Sequence, residues 1–150
     1  MKIAAALALL LATAAAAPPP KKSSVQETND QFVQKILKSI AGKETQPAGD
    51  VFMDVRIERL KKVPARQFLD IMNHGYAKAL GVTCTHCHVE TDFSSDDKRP
   101  KRAAREMASM HLMINQTLHD MKEIEDAPDD RYINCSTCHR GSIDPRQTGH

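Results

Sequence analysis

Apolar residues recur at helical spacing in three stretches of the chain, and each stretch predicts a helix. The first helix is expected to begin at Asn29 or Asp30 and to end near residue 42, where a glycine follows the apolar pattern. The second is expected over residues 64–80 and the third over residues 101–125. We therefore predict a mainly α fold with little or no sheet.

The apolar faces of the second and third predicted helices differ in composition. On the second, an apolar or aromatic side chain recurs every four residues, at Phe68, Met72, Tyr76 and Leu80. On the third, the apolar stripe is rich in methionine and consists of Met107, Met110, Ile114, Leu118 and Met121. Residues 51–60 alternate weakly between apolar and polar positions, which predicts an extended segment. Residues 91–100 are polar and predict turns.

Two pentapeptides of the form Cys-x-x-Cys-His follow the second and third helices and use all four cysteines of the chain. They are Cys84-Thr85-His86-Cys87-His88 and Cys135-Ser136-Thr137-Cys138-His139. In c-type haem attachment, two thiols at this spacing add across the haem vinyl groups and the next histidine binds iron. The chain is thus expected to carry two covalently bound haem c groups. The covalent anchors would be Cys84, Cys87, Cys135 and Cys138, and the iron ligands His88 and His139. The order helix, haem motif, helix, haem motif predicts one architecture repeated twice.

Zinc and disulfides are the alternative interpretations of the four cysteines. Two Cys-x-x-Cys pairs can close one tetrahedral four-thiolate zinc site, and an oxidising compartment favours disulfides. The histidine that follows both pairs favours haem, because neither alternative requires it. Export of the chain also favours haem, because c-type haem is attached outside the cytoplasm.

The N-terminal residues have the pattern of a secretory signal peptide. Lys2 precedes an apolar core over residues 3–11 and a run of small residues over 12–17. The apolar segment falls short of the roughly 20 residues that span a bilayer. We predict a cleaved signal peptide over residues 1–17, a flexible leader over 18–29 and a dihaem cytochrome c domain over 30–150. The mature protein is expected in the periplasm without a stable membrane anchor.

Composition limits the core and the charge of the chain. Aromatic residues make up only 4% of the 150 residues and tryptophan is absent, so the chain is short of large apolar side chains. Two buried haem groups would supply the missing apolar volume, and the haem-free chain is expected to fold poorly. The formal net charge of +2 falls further once haem propionates are added, which excludes a nucleic-acid-binding function.

Stable electron carriers hold iron with a sixth ligand, and methionine or histidine are the usual choices. For the first haem the candidates are Met72, on the apolar face of the second helix, and His74, on a different face. For the second haem the third helix offers methionines at Met107, Met110 and Met113 and histidines at His111 and His119. Residue type alone leaves the second choice open, and a methionine at helical spacing is more often a packing residue.

Several segments resemble the cytochrome c subunit of photosynthetic reaction centres and its small non-photosynthetic relatives. They are residues 67–73 (QFLDIMN), 80–84 (LGVTC), 92–96 (DFSSD), 104–107 (AREM) running on to Ile114-Asn115, and 135–141 (CSTCHRG). The resemblance covers roughly residues 51–145. It implies a helix bearing a methionine ligand before each haem, which points to Met72 for the first and to Met110, with Met107 next, for the second. The photosynthetic subunit has four haems and this chain has two motifs, so docking to a reaction centre is not implied.

The predicted function is outer-sphere electron transfer between redox partner proteins that meet the chain through transient interfaces, and not enzymatic catalysis. The alternative is a haem peroxidase or gas sensor, which requires one five-coordinate haem. Five cationic residues near the start of the third helix, Lys98, Arg99, Lys101, Arg102 and Arg105, either steer an acidic partner or form a solvated helix start.

Overall fold

The computed structural model describes residues 23–124 and 130–147. Helix α1 (Ser24–Ser39) is followed by two short helices, α2 (Ala48–Val51) and α3 (Glu58–Lys61). Helix α4 (Ala65–Asp70), a π-helical segment (Ile71–Ala77) and α5 (Lys78–Leu80) then run on without a break. The last three helices are α6 (Cys84–Cys87), α7 (Arg99–Asp120) and α8 (Cys135–His139). No β-strand occurs in the described ranges, which confirms the mainly α fold.

The start of helix α1 and both ends of helix α7 differ from the prediction. Helix α1 begins at Ser24, inside the segment expected to be a flexible leader, because the Ser23 hydroxyl accepts a hydrogen bond from the Gln26 N–H. Helix α7 begins two residues earlier than predicted, with Pro100 in its first turn, and ends at Asp120 rather than 125. The predicted signal peptide and the predicted leader up to residue 22 lie outside the described residues.

The prediction of an extended segment over residues 51–60 is wrong. Its ends belong to helices α2 and α3, and the residues between them turn at Asp54, whose φ of 66° is left-handed. The weak alternation of apolar and polar residues has another cause. The irregular segment lies along a cavity, so burial varies from residue to residue although the segment is not paired in a sheet. Met53, for example, is 82% exposed.

The second predicted helix is confirmed, and Gly81 ends it with a φ of 67°. The π-helical segment in its middle was not predicted. An α-helix has 3.6 residues per turn, so side chains four residues apart drift by about 40° at each step. The wider π turn reduces this drift, and Phe68, Met72, Tyr76 and Leu80 all line one cavity.

The apolar core is small and consists mainly of short side chains. Ile40, Ala65 and Leu69 form a buried cluster between α1 and α4, with partly buried side chains of α1 and α2 packed around it. The largest fully buried side chain is polar, that of Asn29. Much of the remaining apolar surface faces the cavity instead of other side chains, as expected for a chain that is completed by an apolar prosthetic group.

Candidate haem sites

The first Cys-x-x-Cys-His motif opens onto a cavity of about 450 Å³. Cys84, Cys87 and His88 line it, and so does Met72 of the π-helical segment. The rest of the wall is mainly apolar and comes from α1, the 51–60 segment and the helix that precedes the motif. All four residues predicted to hold the first haem therefore face one space, whose size is within the range of small-molecule and cofactor sites.

Asn29 fixes the position at which the first motif begins. Its side-chain Nδ2 donates to the Val82 carbonyl at 3.0 Å, and its Oδ1 accepts from the Cys84 N–H at 2.9 Å. Because Thr83 makes no side-chain cap, this amide satisfies the first N–H of α6 in its place. Asn29 is only 1% exposed, so its two bonds form away from competing water.

A second amide, Asn73 of the π-helical segment, ties the same helix pair together. Its Nδ2 donates to Asp30 at 2.8 Å and its Oδ1 accepts from Gln26 at 3.0 Å. Asn73 is 3% exposed, and its neighbour Met72 lines the cavity. The polar contacts between α1 and the π-helical segment thus determine how Met72 and the first motif are placed relative to each other.

The imidazole of His88 is oriented by residue Phe93. His88 Nδ1 donates to the Phe93 carbonyl at 2.9 Å, and the two rings stack with centroids 5.0 Å apart. A carbonyl only accepts, so the proton is on Nδ1 and the lone pair of Nε2 is available to a metal. Burial lowers the pKa of His88, and the nearby charges of Lys101 and Arg105 act in the same direction while the Phe93 hydrogen bond opposes them. The imidazole is accordingly neutral, which is the form that binds iron.

The cysteines do not form the sites that zinc or a disulfide would require. All four are free thiols, and no cluster of three or more His, Cys, Asp or Glu side chains able to hold a metal is found in residues 23–124 and 130–147. Burial raises the pKa of Cys84, Cys87 and Cys135, so these thiols are protonated at neutral pH. Protonated thiols are weak nucleophiles and weak metal ligands.

One wall of the cavity carries a group of charged residues that sequence reasoning did not assign to the site. Asp54 is paired with Lys101 at 2.9 Å and with Arg105 at 2.6 Å, and Arg105 also binds Asp96. Arg56 joins the same group through Asp54 and Asp96. Burial alone would raise the pKa of Asp54, but hydrogen bonds from Lys101 and Arg56 and the positive charges around it hold that pKa below its usual value.

These pairs correct both interpretations for Lys101 and Arg105, two of the five cations. Lys101 is only 9% exposed, and Arg105 is largely buried and lines the cavity, so neither side chain is free to steer a partner or to solvate a helix start. Lys98 donates to the Thr85 carbonyl of the first motif, and Arg102 donates to the carbonyls of Asp96 and Asp97. The cluster holds the loop between the first motif and α7.

The second motif shares two contacts with the first, an asparagine amide bound to the backbone before the first cysteine and a histidine Nδ1 that donates to a carbonyl, but its helix α8 has its own side-chain cap at Asn134. Asn115 of α7 donates to the Ile133 carbonyl at 3.0 Å and accepts from the Ile133 N–H at 2.9 Å. Ile133 lies two residues before Cys135, as Val82 lies two residues before Cys84. His139 Nδ1 donates to the Ser142 carbonyl at 3.0 Å, which leaves its Nε2 free as in His88.

The two motifs are held close together by a contact between glycines. The Gly141 N–H donates to the Ala79 carbonyl at 2.9 Å, and α8 packs against α5 and the π-helical segment. A β-carbon on Gly81 would lie only 2.2 Å from the Gly141 carbonyl oxygen, so the backbones approach more closely than any side chain permits. Tyr76 lies in the π-helical segment, against which α8 of the second motif packs. Burial raises the pKa of Tyr76, and the neighbouring Cys135 raises it as well.

The candidate sixth ligands differ in their surroundings. His74 is about half exposed and pairs with Asp70 at 2.7 Å, whereas Met72 lines the first cavity. Both ring nitrogens of His111 have partners, since Nε2 donates to Ile133 at 2.8 Å and Arg59 approaches Nδ1 at 3.4 Å. His119 is exposed and pairs with Asp120.

The exposure of the α7 methionines does not decide which of them would be the sixth ligand of the second haem. Met107 is 41% exposed, Met110 40% and Met113 64%. Met107 and Met110 are therefore equally accessible to a haem that would cover this face of α7. Asn29, Asn73, Phe93 and Lys101 are the site residues that sequence reasoning missed. Asn73, Phe93 and Asn115 were noted only as parts of segments that resemble the family, and that resemblance was the one signal available for them.

Comparison with known proteins identifies the family of the chain. The family model described as photosynthetic reaction centre cytochrome C subunit matches residues 12–149. A photosynthetic reaction center cytochrome c subunit of Rubrivivax gelatinosus is 32% identical over 90 residues, which is 54% of this chain and 24% of that protein. Cytochrome c-554 of Chloroflexus aurantiacus is 30% identical over 90 residues, which is 59% of this chain and 20% of that protein.

The chain therefore matches about a quarter or less of the length of these curated relatives. No solved structure matches it significantly. In the part of the chain that the structure describes, no helix is long and apolar enough to cross a membrane. Because the family model extends over most of the sequence and includes both haem motifs, the chain belongs to the photosynthetic reaction centre cytochrome c subunit family.

Proposed function

We propose that this protein is an exported dihaem c-type cytochrome that transfers electrons between redox partner proteins without chemical conversion of a substrate. The observation that carries the proposal is the cavity that Cys84, Cys87, His88 and Met72 line together. Two thiols, an imidazole with a free Nε2 and a thioether are the donor set of a histidine–methionine cytochrome c. When bound, haem supplies an iron that alternates between the ferrous and ferric states.

The residues of the first site fit that cofactor in three respects. The cavity wall is mainly apolar, which suits the porphyrin faces and excludes water. Cys84 and Cys87 are free thiols, as thioether formation requires, and the His88 imidazole is neutral, as iron ligation requires. Arg56 and Arg105 line the cavity and, besides their pairs with Asp54 and Asp96, would supply positive charge for the cofactor's carboxylates.

The second haem is supported by the repeat of local structure. An asparagine amide holds the backbone two residues before each first cysteine, and each motif histidine donates Nδ1 to a backbone carbonyl. The methionine-rich face of α7 is partly exposed, as are Tyr132 and Ile143. A second apolar group bound near α8 and α7 would cover such a surface.

A haem count is the first experiment. The protein, produced in a host that attaches c-type haem, is expected to give two haems per chain by pyridine haemochrome absorbance and by mass. One haem would reject the second site, and a colourless protein of bare polypeptide mass would reject the function altogether. Addition of carbon monoxide to the reduced protein is expected to leave the Soret band nearly unchanged, and a marked shift would favour the peroxidase or gas-sensor alternative.

Single substitutions then test the ligands. Met72→Ala and Met110→Ala are each expected to remove part of the absorption band that reports methionine bound to ferric haem. Met121→Ala is the matched control, because Met121 lies at the end of α7 with a similar exposure of 42% and is not proposed as a ligand. A full band in Met72→Ala would show that Met72 only packs against the porphyrin. If the band stays complete in Met110→Ala and is reduced in Met107→Ala, the sixth ligand of the second haem is Met107, one helical turn earlier.

A further inference from the structure

We infer that Lys101 raises the reduction potential of the first haem by sharing the carbonyl that orients the ligand His88. The inference rests on the proposed function. It concerns a positioning residue that does not touch the metal but acts through the Phe93 carbonyl. Residues that hydrogen-bond a metal ligand are an established means by which proteins set the properties of the metal.

The Phe93 carbonyl oxygen accepts two hydrogen bonds, one from the first motif and one from α7. His88 Nδ1 lies 2.9 Å from it, and the Lys101 ammonium lies 3.1 Å from it. The same ammonium is within hydrogen-bond distance of the Ser94 and Ser95 carbonyls, at 2.7 and 2.9 Å. Lys101 is 9% exposed, so little water screens its charge at this position.

The electronic consequence follows from competition for one acceptor. A carbonyl that accepts a hydrogen bond from a charged ammonium is a weaker acceptor for the imidazole N–H. The N–H bond is then less polarised, and the imidazole ring carries less negative charge. The ring is then a weaker electron donor through Nε2, which destabilises ferric iron relative to ferrous iron. The positive charge favours the ferrous state as well, although Asp54 at 2.9 Å offsets part of this second effect.

The second motif provides an internal comparison. His139 Nδ1 donates to the Ser142 carbonyl at 3.0 Å. Within residues 23–124 and 130–147, no lysine or arginine side chain donates to that carbonyl. Loss of Lys101 should therefore change the first haem and leave the second nearly unchanged.

The test is a potentiometric titration of the haem-loaded protein and of Lys101→Met, which removes the ammonium at nearly constant side-chain length. The first haem is expected to show about a tenfold lower ratio of ferrous to ferric iron at a fixed potential, which is a downward shift of about 59 mV for one electron. Met72→Ala assigns the two waves, because Met72 lines the first cavity and its loss disturbs the first haem whether it ligates or packs.

Arg102→Met is the matched control. Arg102 is the next residue of α7, loses the same charge and also binds backbone carbonyls, but it is exposed and does not contact Phe93. Its effect is expected to be below twofold. Equal shifts in the two variants, a shift of both haems in Lys101→Met, or no downward shift of the first haem would each overturn the inference.

A second variant guards against a folding defect. Lys101→Gln keeps a hydrogen-bond donor without the charge, and it is expected to lower the first potential by less than Lys101→Met does. If Lys101→Met does not accumulate, Lys101→Gln measured against Arg102→Met decides the question by the same criteria. Failure of the proposed function would already appear as fewer than two haems per chain, before any potential is measured.

Discussion

Gly81→Ala is expected to destabilise the haem-loaded protein much more than its exposed position suggests. Gly81 has a φ of 67°, and a β-carbon there would lie 2.2 Å from the Gly141 carbonyl oxygen, whereas ordinary contacts begin at 3.4 Å. The left-handed backbone costs a residue with a side chain about 1–2 kcal/mol. Relief of the clash requires the Gly141 segment to retreat by roughly 1 Å, which weakens the 2.9 Å bond from Gly141 N–H to Ala79 and costs about 1–3 kcal/mol more.

Gly42→Ala separates the two contributions. Gly42 has a φ of 82°, also left-handed, and nothing lies within 4 Å of the β-carbon that alanine would add. Its cost should be the backbone term alone, about 1–2 kcal/mol, against about 2–5 kcal/mol for Gly81→Ala. Guanidinium unfolding of both holoproteins, followed by far-ultraviolet circular dichroism, measures the difference.

Equal free energies of unfolding for the two alanine variants would refute the close contact between the haem motifs. A large loss in Gly81→Ala is expected to come with a change in the absorption spectrum, because the Gly81–Gly141 contact fixes how α8 lies against α5. A typical domain has only about 5–15 kcal/mol of stability, so this single contact represents a large part of it.

Two further substitutions test the polar framework of the first site. Asn29→Ala should lower the free energy of unfolding by about 2–4 kcal/mol, because two buried backbone groups lose their partner. It should also reduce the fraction of chains with haem at Cys84. The control is Gln31→Ala, exposed on the same helix, which should lower the free energy of unfolding by less than about 0.5 kcal/mol. Asp54 has a pKa below its ordinary value of 3.8, so its stabilising contribution is complete above about pH 4 and is lost as the pH falls through the lowered folded value. Asp54→Asn should therefore flatten the decline in stability with acid, measured by unfolding from pH 5 to pH 2, and an unchanged slope would contradict the buried ion pairs.

The sequence was sufficient to recognise the family of this protein because the motifs that carry the resemblance are local. Spacing within each pentapeptide decides which thiols and which imidazole can serve one haem, and this spacing does not depend on the fold. Helical periodicity was equally informative for residues 64–80, where the four-residue recurrence placed Met72 on the face that lines the cavity. The family resemblance is confirmed by the family match over residues 12–149.

Only the tertiary structure decided which distant residues support those motifs. Asn29 lies more than fifty positions before Cys84, and its polarity suggested a helix cap until the fold buried it against the motif. Lys101 belonged to a run of cations that resembled a solvated surface, but the left-handed turn at Asp54 provides a partly buried carboxylate that pairs with the Lys101 ammonium beside the Phe93 carbonyl. Hydrogen bonds and ion pairs of this kind depend on backbone paths far apart in the chain, and no periodic pattern within one segment records them.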